Sequence, residues 1–457
     1  MSIISKDNVL EKVNTRIYKF FLNQQIGKLL KQSNFYKESG YSCAEILRFI
    51  FQLAFTGKNL YHTLQTNDCS RKPGKDAIYR FLNSCRFNWR KLLLKLSSSI
   101  IKEQVSPLTS EDRVKVLILD DSLYQRSRSK TVELLARVHD HVLMKYVRGF
   151  RMLTLGWSDG NSFIPLCFSL LSSEKEKNRL CGINANIDKR NVGYKRRQES
   201  IKKSPEVIFD LLQQAKSIGV DASYLLFDSW FAFPKTISKV LDYGLHVVCM
   251  VKATPKIFYG YQGQRMSLKS LYSMLRKKRG KAKILASVIV TLGANEKGKD
   301  IKAKIVFVRD RNRSKKWLAL LSTNTDLADE EIVRIYGKRW DIEVFFKMTK
   351  SYLRLAKEFQ GCSYDMMFAH TTIVFMRYIM LSLESRESRD PRTLGNLFYV
   401  CCDEIEDIKL ASAILLLIDL LKQAMNNVLT LTEEKFDKLF DYFIRSLPNY
   451  IKGLLTI

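Results

Sequence analysis

Apolar positions along the 457-residue chain change their spacing several times, and the changes mark its organisation. Ile17 to Leu30 and Cys43 to Phe55 carry apolar residues at helical intervals, interrupted at Gly40 and Gly57. Asp76 to Leu82 and Trp89 to Ile101 predict a second pair of helices, so residues 1–112 read as a helical unit. The texture then turns to strands. Val114 to Leu119 is an apolar run that ends at Asp120-Asp121-Ser122. Phe150 to Trp157 and Phe163 to Leu171 follow, joined by a turn at Asp159-Gly160-Asn161. Ser204-Pro205-Glu206 opens a helix that Gly219 closes. Tyr224 to Phe227 is a short strand ending at Asp228, Pro234 to Tyr243 a helix, and Leu245 to Val251 another strand. The first three strands suit an antiparallel meander. The last two, joined through a helix, imply parallel neighbours with a right-handed crossover. The expectation is an α/β fold, a mixed sheet with helices on its faces over 113–252.

Residues 253–322 predict a β-rich insertion, with alternating strands at Ile284 to Leu292 and Ile301 to Val308 and a last strand at Trp317 to Ser322. Over 323–360, Asp326 to Leu355 reads as one helix, N-capped by Asp326, with Asp329, Glu330 and Glu331 in the first turn where they suit the dipole. On it, Tyr336, Arg339, Glu343 and Lys350 share one face, beside an apolar stripe of Ile335, Ile342, Phe345 and Phe346. A lone acid among cations also fits a surface salt-bridge face. Residues 361–457 are helical again and suit packing on the core or on another protein, including a second copy.

Charge changes this picture most. Lys and Arg number 76 against 46 Asp and Glu, a formal net charge of +30, which points to a polyanionic partner and foremost to nucleic acid. The basic stretches at 189–203 and 276–283 are expected DNA-backbone contacts; solvated loops are the alternative. The cationic gap around Arg71, Lys72, Lys75, Arg80 and Arg86 makes the N-terminal helices a candidate DNA-binding unit. Nine scattered cysteines without a C-x-x-C pair support neither structural zinc nor a disulfide framework and suit a reducing cytosol. No signal peptide is expected, and the apolar run Leu410 to Leu421, which contains Asp419, is too short to span a bilayer, so no membrane role is expected.

Two predicted strands end in an acid, Asp120 and Asp228, and Glu343 completes a set of three. Carboxylates in a basic chain suit Mg²⁺ or Mn²⁺ and two-metal phosphodiester chemistry. Asp120 and Asp121 are adjacent and point to opposite faces of a strand, so one of them leads. Asp120 fits the form D-x-[ST], and Asp121 is the alternative. Tyr336, Arg339, Glu343 and Lys350 match Y-x2-R-x3-E-x6-K without a gap. With the run Arg339-Trp340-Asp341-Ile342-Glu343, the segment LLFDSWF around Asp228 and Asp120-Asp121-Ser122, the chain resembles the insertion-sequence-four family of DDE transposases over about residues 114–356.

The resemblance implies a ribonuclease-H-like core (the fold of retroviral integrases) with a β-rich insertion before the glutamate helix. It implies a catalytic, Mg²⁺-binding triad of Asp120, Asp228 and Glu343, with Mn²⁺ as substitute. It implies phosphate contacts from Tyr336, Arg339 and Lys350. Trp317 lies where the family's insertion carries a tryptophan that stacks on a flipped base; an ordinary strand residue is the alternative. The implied function is cut-and-paste transposition through a hairpin at the element's end. The implied partners are double-stranded DNA, as terminal inverted repeats and target, with a homodimer in the synapse. The implied setting is the bacterial or archaeal cytoplasm, at the nucleoid. Two rivals are a transposase-derived DNA-binding protein without catalysis and a ribonuclease-H-like nuclease that only hydrolyses.

Overall fold

The computed structural model describes residues 15–448 apart from 66–71, 141–142, 185, 279–281, 295–297, 311–315, 360, 388–391, 429–432 and 447. Arg71, His141, Cys69 and the Arg311-Asn312-Arg313 run lie outside the described residues, as does the middle of the 276–283 cluster.

The N-terminal unit is helical: α1 (Arg16–Asn23), α2 (Ile26–Gln32), α3 (Cys43–Gln52), α4 (Leu60–Gln65), α5 (Lys75–Leu82) and α6 (Trp89–Ile100). The single helix expected over Ile17 to Leu30 is two, because Gln25 takes a left-handed conformation (φ +48°) and turns the chain. Ser42 and Glu45 form a reciprocal capping box that starts α3. The unit is no detached module. On α6, Ser97 Oγ donates to the Pro165 carbonyl at 2.7 Å and Arg90 donates to the Phe168 carbonyl at 2.7 Å.

Eleven strands follow: β1 (Val116–Gln125), β2 (Ala136–Asp140), β3 (Lys145–Ser158), β4 (Phe163–Leu171), β5 (Tyr224–Phe227), β6 (His246–Val251), β7 (Phe258–Tyr261), β8 (Gln264–Ser267), β9 (Ile284–Ala294), β10 (Asp300–Arg309) and β11 (Trp317–Ser322). They form one sheet in the order β2-β3-β1-β5-β6-β11-β10-β9-β7-β8, with β4 pairing β3 beside β2. β1 is antiparallel to β3 and parallel to β5, and β5 is parallel to β6. The expected meander and parallel pair are both present. Three strands are unexpected: β2, short and half polar, which pairs with the first residues of β3, and the β7–β8 hairpin. β11 runs antiparallel to β6, so the insertion continues the central sheet.

β4 is buried at every position, as its unbroken apolar sequence requires. Phe168 stacks on Phe368 at 4.4 Å, and Cys167 points to the Leu211 carbonyl on the other face. Helices therefore cover both sides of the sheet: α7 (Val192–Ser200), α8 (Ser204–Ser217), α9 (Pro234–Leu241) and α10 (Leu268–Met274) arise between strands. Pro165 sits where the β3–β4 register shifts, a bulge that spares the ladder hydrogen bond proline cannot donate.

The glutamate segment differs from the expected single helix. It is α11 (Asp329–Gly337) and α12 (Trp340–Ser351), N-capped at Ala328 in place of Asp326. Lys338 and Arg339 keep helical dihedrals between them, with tightened bonds from Lys338 N to Ile335 O (3.1 Å) and Arg339 N to Tyr336 O (3.0 Å). The apolar stripe is buried throughout, and Phe345 packs on Phe163, Phe375 and Tyr378.

The last helices are α13 (Tyr364–Glu387), α14 (Leu394–Val428) and α15 (Glu433–Ser446). Tyr364–Arg386 is the one helix among the described residues long and apolar enough to cross a membrane, and it is buried inside the protein as a core helix. In α14, Leu410, Leu417, Leu420 and Leu421 are exposed. Among the described residues all eight cysteines are free.

Candidate active site

β1 and β5 run side by side, and their last paired residues are Ile118 and Leu226. Two residues beyond these stand Asp120 and Asp228, so parallel register alone brings the two acids level; Asp228 follows the end of β5 as expected, whereas β1 does not end at Asp120 but stays paired with β3 as far as Gln125. Beyond Phe227 the chain turns, and the Trp230 amide donates to Asp228 Oδ1 at 2.7 Å. α12 packs beside β1, with the Glu343 side chain partly exposed. Arg339 spans the gap: Nη2 donates to Glu343 Oε1 at 2.6 Å and Nη1 faces Asp120 Oδ2 at 3.4 Å. The Arg339 guanidinium also lies 5.7 Å from the centre of the Tyr336 ring. Lys350 Nζ, two turns along α12, donates to Ser122 Oγ at 2.6 Å.

The acids are crowded. Burial pushes the Asp120 carboxyl up to about 7, and the neighbouring charges of Asp121 and Asp228 add to the rise against the pull of Arg339. Burial also raises the Tyr336 phenol to about 12 and lowers the Lys350 ammonium. Arg339 is held above its ordinary value: burial opposes its charge, but Tyr336, Glu343 and Asp120 outweigh it. Asp121 points the other way and pairs with Arg151, whose guanidinium lies 5.9 Å from the Trp230 ring.

The structure thus brings Asp120, Asp228, Glu343, Tyr336 and Arg339 together, with Lys350 on the same face through Ser122. Trp317 stands elsewhere. As first residue of β11 it packs on Tyr272 at 4.8 Å and on Phe307 at 5.1 Å, within an aromatic cluster of the insertion. The 189–203 stretch divides: Lys189, Arg190, Lys195, Lys202 and Lys203 are exposed, and Arg196 and Arg197 are internal. Arg196 and Arg197 are buried and pair with Asp365 at 2.6 and 2.7 Å, and Arg197 pairs also with Glu133. Lys202 pairs with Asp210. Buried pairing partners on distant elements absorbed cations that the bare sequence presented as a charge run. Arg151 and Lys338 were missed. Lys338 fastens the α11–α12 junction to the carbonyls of Val114 and Asp159, a role set by packing and invisible in a local motif.

A family model described as DDE superfamily endonuclease matches residues 53–312, more than half of the chain. The chain belongs to the DDE superfamily endonucleases. The matched span contains Asp120 and Asp228 and ends before Glu343. No curated protein matches the chain. DDE endonucleases act on DNA and are generally dependent on divalent metal. Among the described residues no three acidic, histidine or cysteine side chains are grouped closely enough to hold a metal ion. The donor set is nevertheless the right kind. Hard carboxylate oxygens are crowded and partly desolvated on the central strands of the sheet, Asp120 is reluctant to ionise there, and Arg339 is the cation that bridges it to Glu343. Ser229 Oγ, next to Asp228, is buried without a hydrogen-bond partner.

Proposed function

We propose that this DDE endonuclease is the DNA transposase of an insertion sequence, similar to the insertion-sequence-four family, acting at terminal inverted repeats by cut-and-paste. The observation that carries the reading is that Asp120 and Asp228 stand level on adjacent parallel strands, with Arg339 linking Asp120 to Glu343 and Asp121 paired separately with Arg151. The strand order β4-β3-β1-β5-β6 supports a ribonuclease-H-like core.

Asp120, Asp228 and Glu343 would hold Mg²⁺, or Mn²⁺ in its place. When bound, the ions favour an oxygen nucleophile and stabilise the departing oxygen of an in-line displacement. Tyr336, Arg339 and Lys350 hold the phosphates beside the reacting one, with a hydroxyl and two cations spaced along one helix face. In the first step water attacks the phosphorus at the element's end, the P–O3′ bond breaks, and a 3′-hydroxyl leaves. That hydroxyl then attacks the opposite strand, giving a hairpin and releasing the element. Water reopens the hairpin, and the freed 3′-hydroxyl joins target DNA. Each step exchanges one P–O bond for another, so no protein nucleophile is required. The exposed leucines of α14 support a second copy in the synapse. Trp317 stacks on a flipped base once the cluster it forms with Tyr272 and Phe307 opens on DNA.

Strand transfer separates this reading from simple hydrolysis. With Mg²⁺ and a pre-cut donor end carrying a 3′-hydroxyl, the protein should join donor to target DNA. Lys350→Ala should lower joining by ten- to a hundredfold, while Trp317→Phe should leave the first nick intact. A protein that cuts the donor end but never joins it is a hydrolytic nuclease, and the transposase reading fails.

A further inference from the structure

A cleft of about 1380 Å³ opens from the outer side of the site, with Asp121, Ser122 and Lys350 at its inner end. One wall is the segment after β1, residues 126–132, and the other is the segment 355–362 after α12. The walls are fastened to each other. Arg126 is buried and donates to the carbonyls of Phe359 at 3.0 Å and Gly361 at 3.1 Å, and the Glu133 amide donates to the Cys362 carbonyl at 2.9 Å. The cleft is therefore built into the fold. Its lining holds six cations against two acids, Asp121 and Asp140; Arg128, Lys130 and Lys357 stand exposed along it and form no ion pair among the described residues. The Asp121 carboxylate at the inner end is engaged by Arg151.

From these features we infer that the cleft takes one strand of DNA backbone next to the reacting phosphate, with Arg128, Lys130 and Lys357 on successive phosphates. The volume suits a few nucleotides of one strand and is far too small for a turn of duplex. Exposed, unpaired cations suit phosphates, since nothing must be broken before they bind. Continuity with Ser122 and Lys350 puts the strand in line with the acids. The inference rests on the reading of the site as one that acts on DNA.

The test uses the full chain, a fluorescein-labelled single-stranded oligonucleotide of mixed sequence, and the triple variant Arg128→Ala/Lys130→Ala/Lys357→Ala. Three lost phosphate contacts to a single strand should make the plot of log affinity against log salt shallower by about 2 units, at roughly 0.7 per contact. The exposed thiol of Cys362, 3.5 Å from Thr131 Oγ1 on the opposite wall, supplies a second readout. Bound oligonucleotide should slow its alkylation in the wild type, and the same concentration should not do so in the triple variant. An unchanged melting temperature shows that the variant folds; if it melts lower, Cys362 protection in the wild type alone decides. An unchanged slope, or an unprotected Cys362 in a wild type that binds, overturns the cleft. If the wild type nevertheless cuts duplex DNA with Mg²⁺, only the cleft assignment falls. A wild type that neither binds nor cuts takes the reading of the site with it.

Discussion

Asp120 and Asp121 are neighbours on β1 with opposite surroundings. Asp121 faces Arg151, while Asp120 is half-buried beside Asp121 and Asp228 with one bridging arginine. This has a consequence for stability. In the folded protein the Asp120 carboxyl titrates near 7, against an ordinary 3.8. A raised folded value means that the folded state holds the proton more tightly, so stability falls as pH rises through the window from about 4 to about 7. The ceiling on that loss is on the order of 4 kcal/mol, three pH units at about 1.4 kcal/mol each. Asp120→Asn should therefore match the wild type at about pH 4 and exceed it in stability above about pH 7, measured by denaturant unfolding with chelator present. Adding Mg²⁺ above pH 7 should stabilise the wild type and leave the variant unmoved. An Asp120→Asn protein less stable than the wild type at pH 8 contradicts this account. At this scale the acids and the Tyr336 signature were legible, because helix period and strand alternation fix which residues share a face. The Asp121–Arg151 pair was not, because it depends on the β1–β3 register, which no local pattern encodes.

Elements are held to one another by a few buried polar groups. Arg377 of α13 is fully buried and donates to the carbonyls of Ile50 and Phe51 at the end of α3, at 2.6 and 2.9 Å. It also pairs with both oxygens of Glu358, at 2.9 and 3.0 Å, and His370 joins the same carboxylate. Burial alone would raise the Glu358 carboxyl, but Arg377 and His370 outweigh it and bring it to about 2. One guanidinium thus ties the N-terminal helices, the segment after α12 and the core helix. Arg377→Met leaves Glu358 buried without its main partner and should cost about 3–5 kcal/mol. The double variant Arg377→Met/Glu358→Leu should recover part of that loss, since the stranded charge is gone. Thermal melting of both proteins decides, and a double variant less stable than the single one contradicts the pairing. The long apolar elements were legible: β4, β5 and β11 lie where their sequences place them. β2 was not, because its five residues are half polar and gain order only by pairing with β3. The N-terminal helices split at Gln25, a residue with no turn signal of its own.

The whole molecule is one mixed sheet with helices on both faces, and its site lies where β5 ends beside the middle of β1. The α/β class and the parallel β5–β6 crossover followed from strand and helix order. That the insertion extends the same sheet through β6 and β11 did not, because a strand does not announce its partner. Net charge is expressed unevenly: part of the basic excess is spent internally on Asp365 and Glu133, and part lines the cleft beside the acids. The central claim is that Asp120, Asp228 and Glu343 act as one catalytic unit. The most direct measurement is Mg²⁺-dependent cleavage of duplex DNA by the wild type, Asp120→Asn, Asp121→Asn, Asp228→Asn and Glu343→Gln, with DNA binding followed alongside. The account predicts cleavage by the wild type, at least a hundredfold loss in the Asp120, Asp228 and Glu343 variants with binding retained, and a smaller loss in Asp121→Asn. Full cleavage by Glu343→Gln, or a greater loss in Asp121→Asn than in Asp120→Asn, would contradict it.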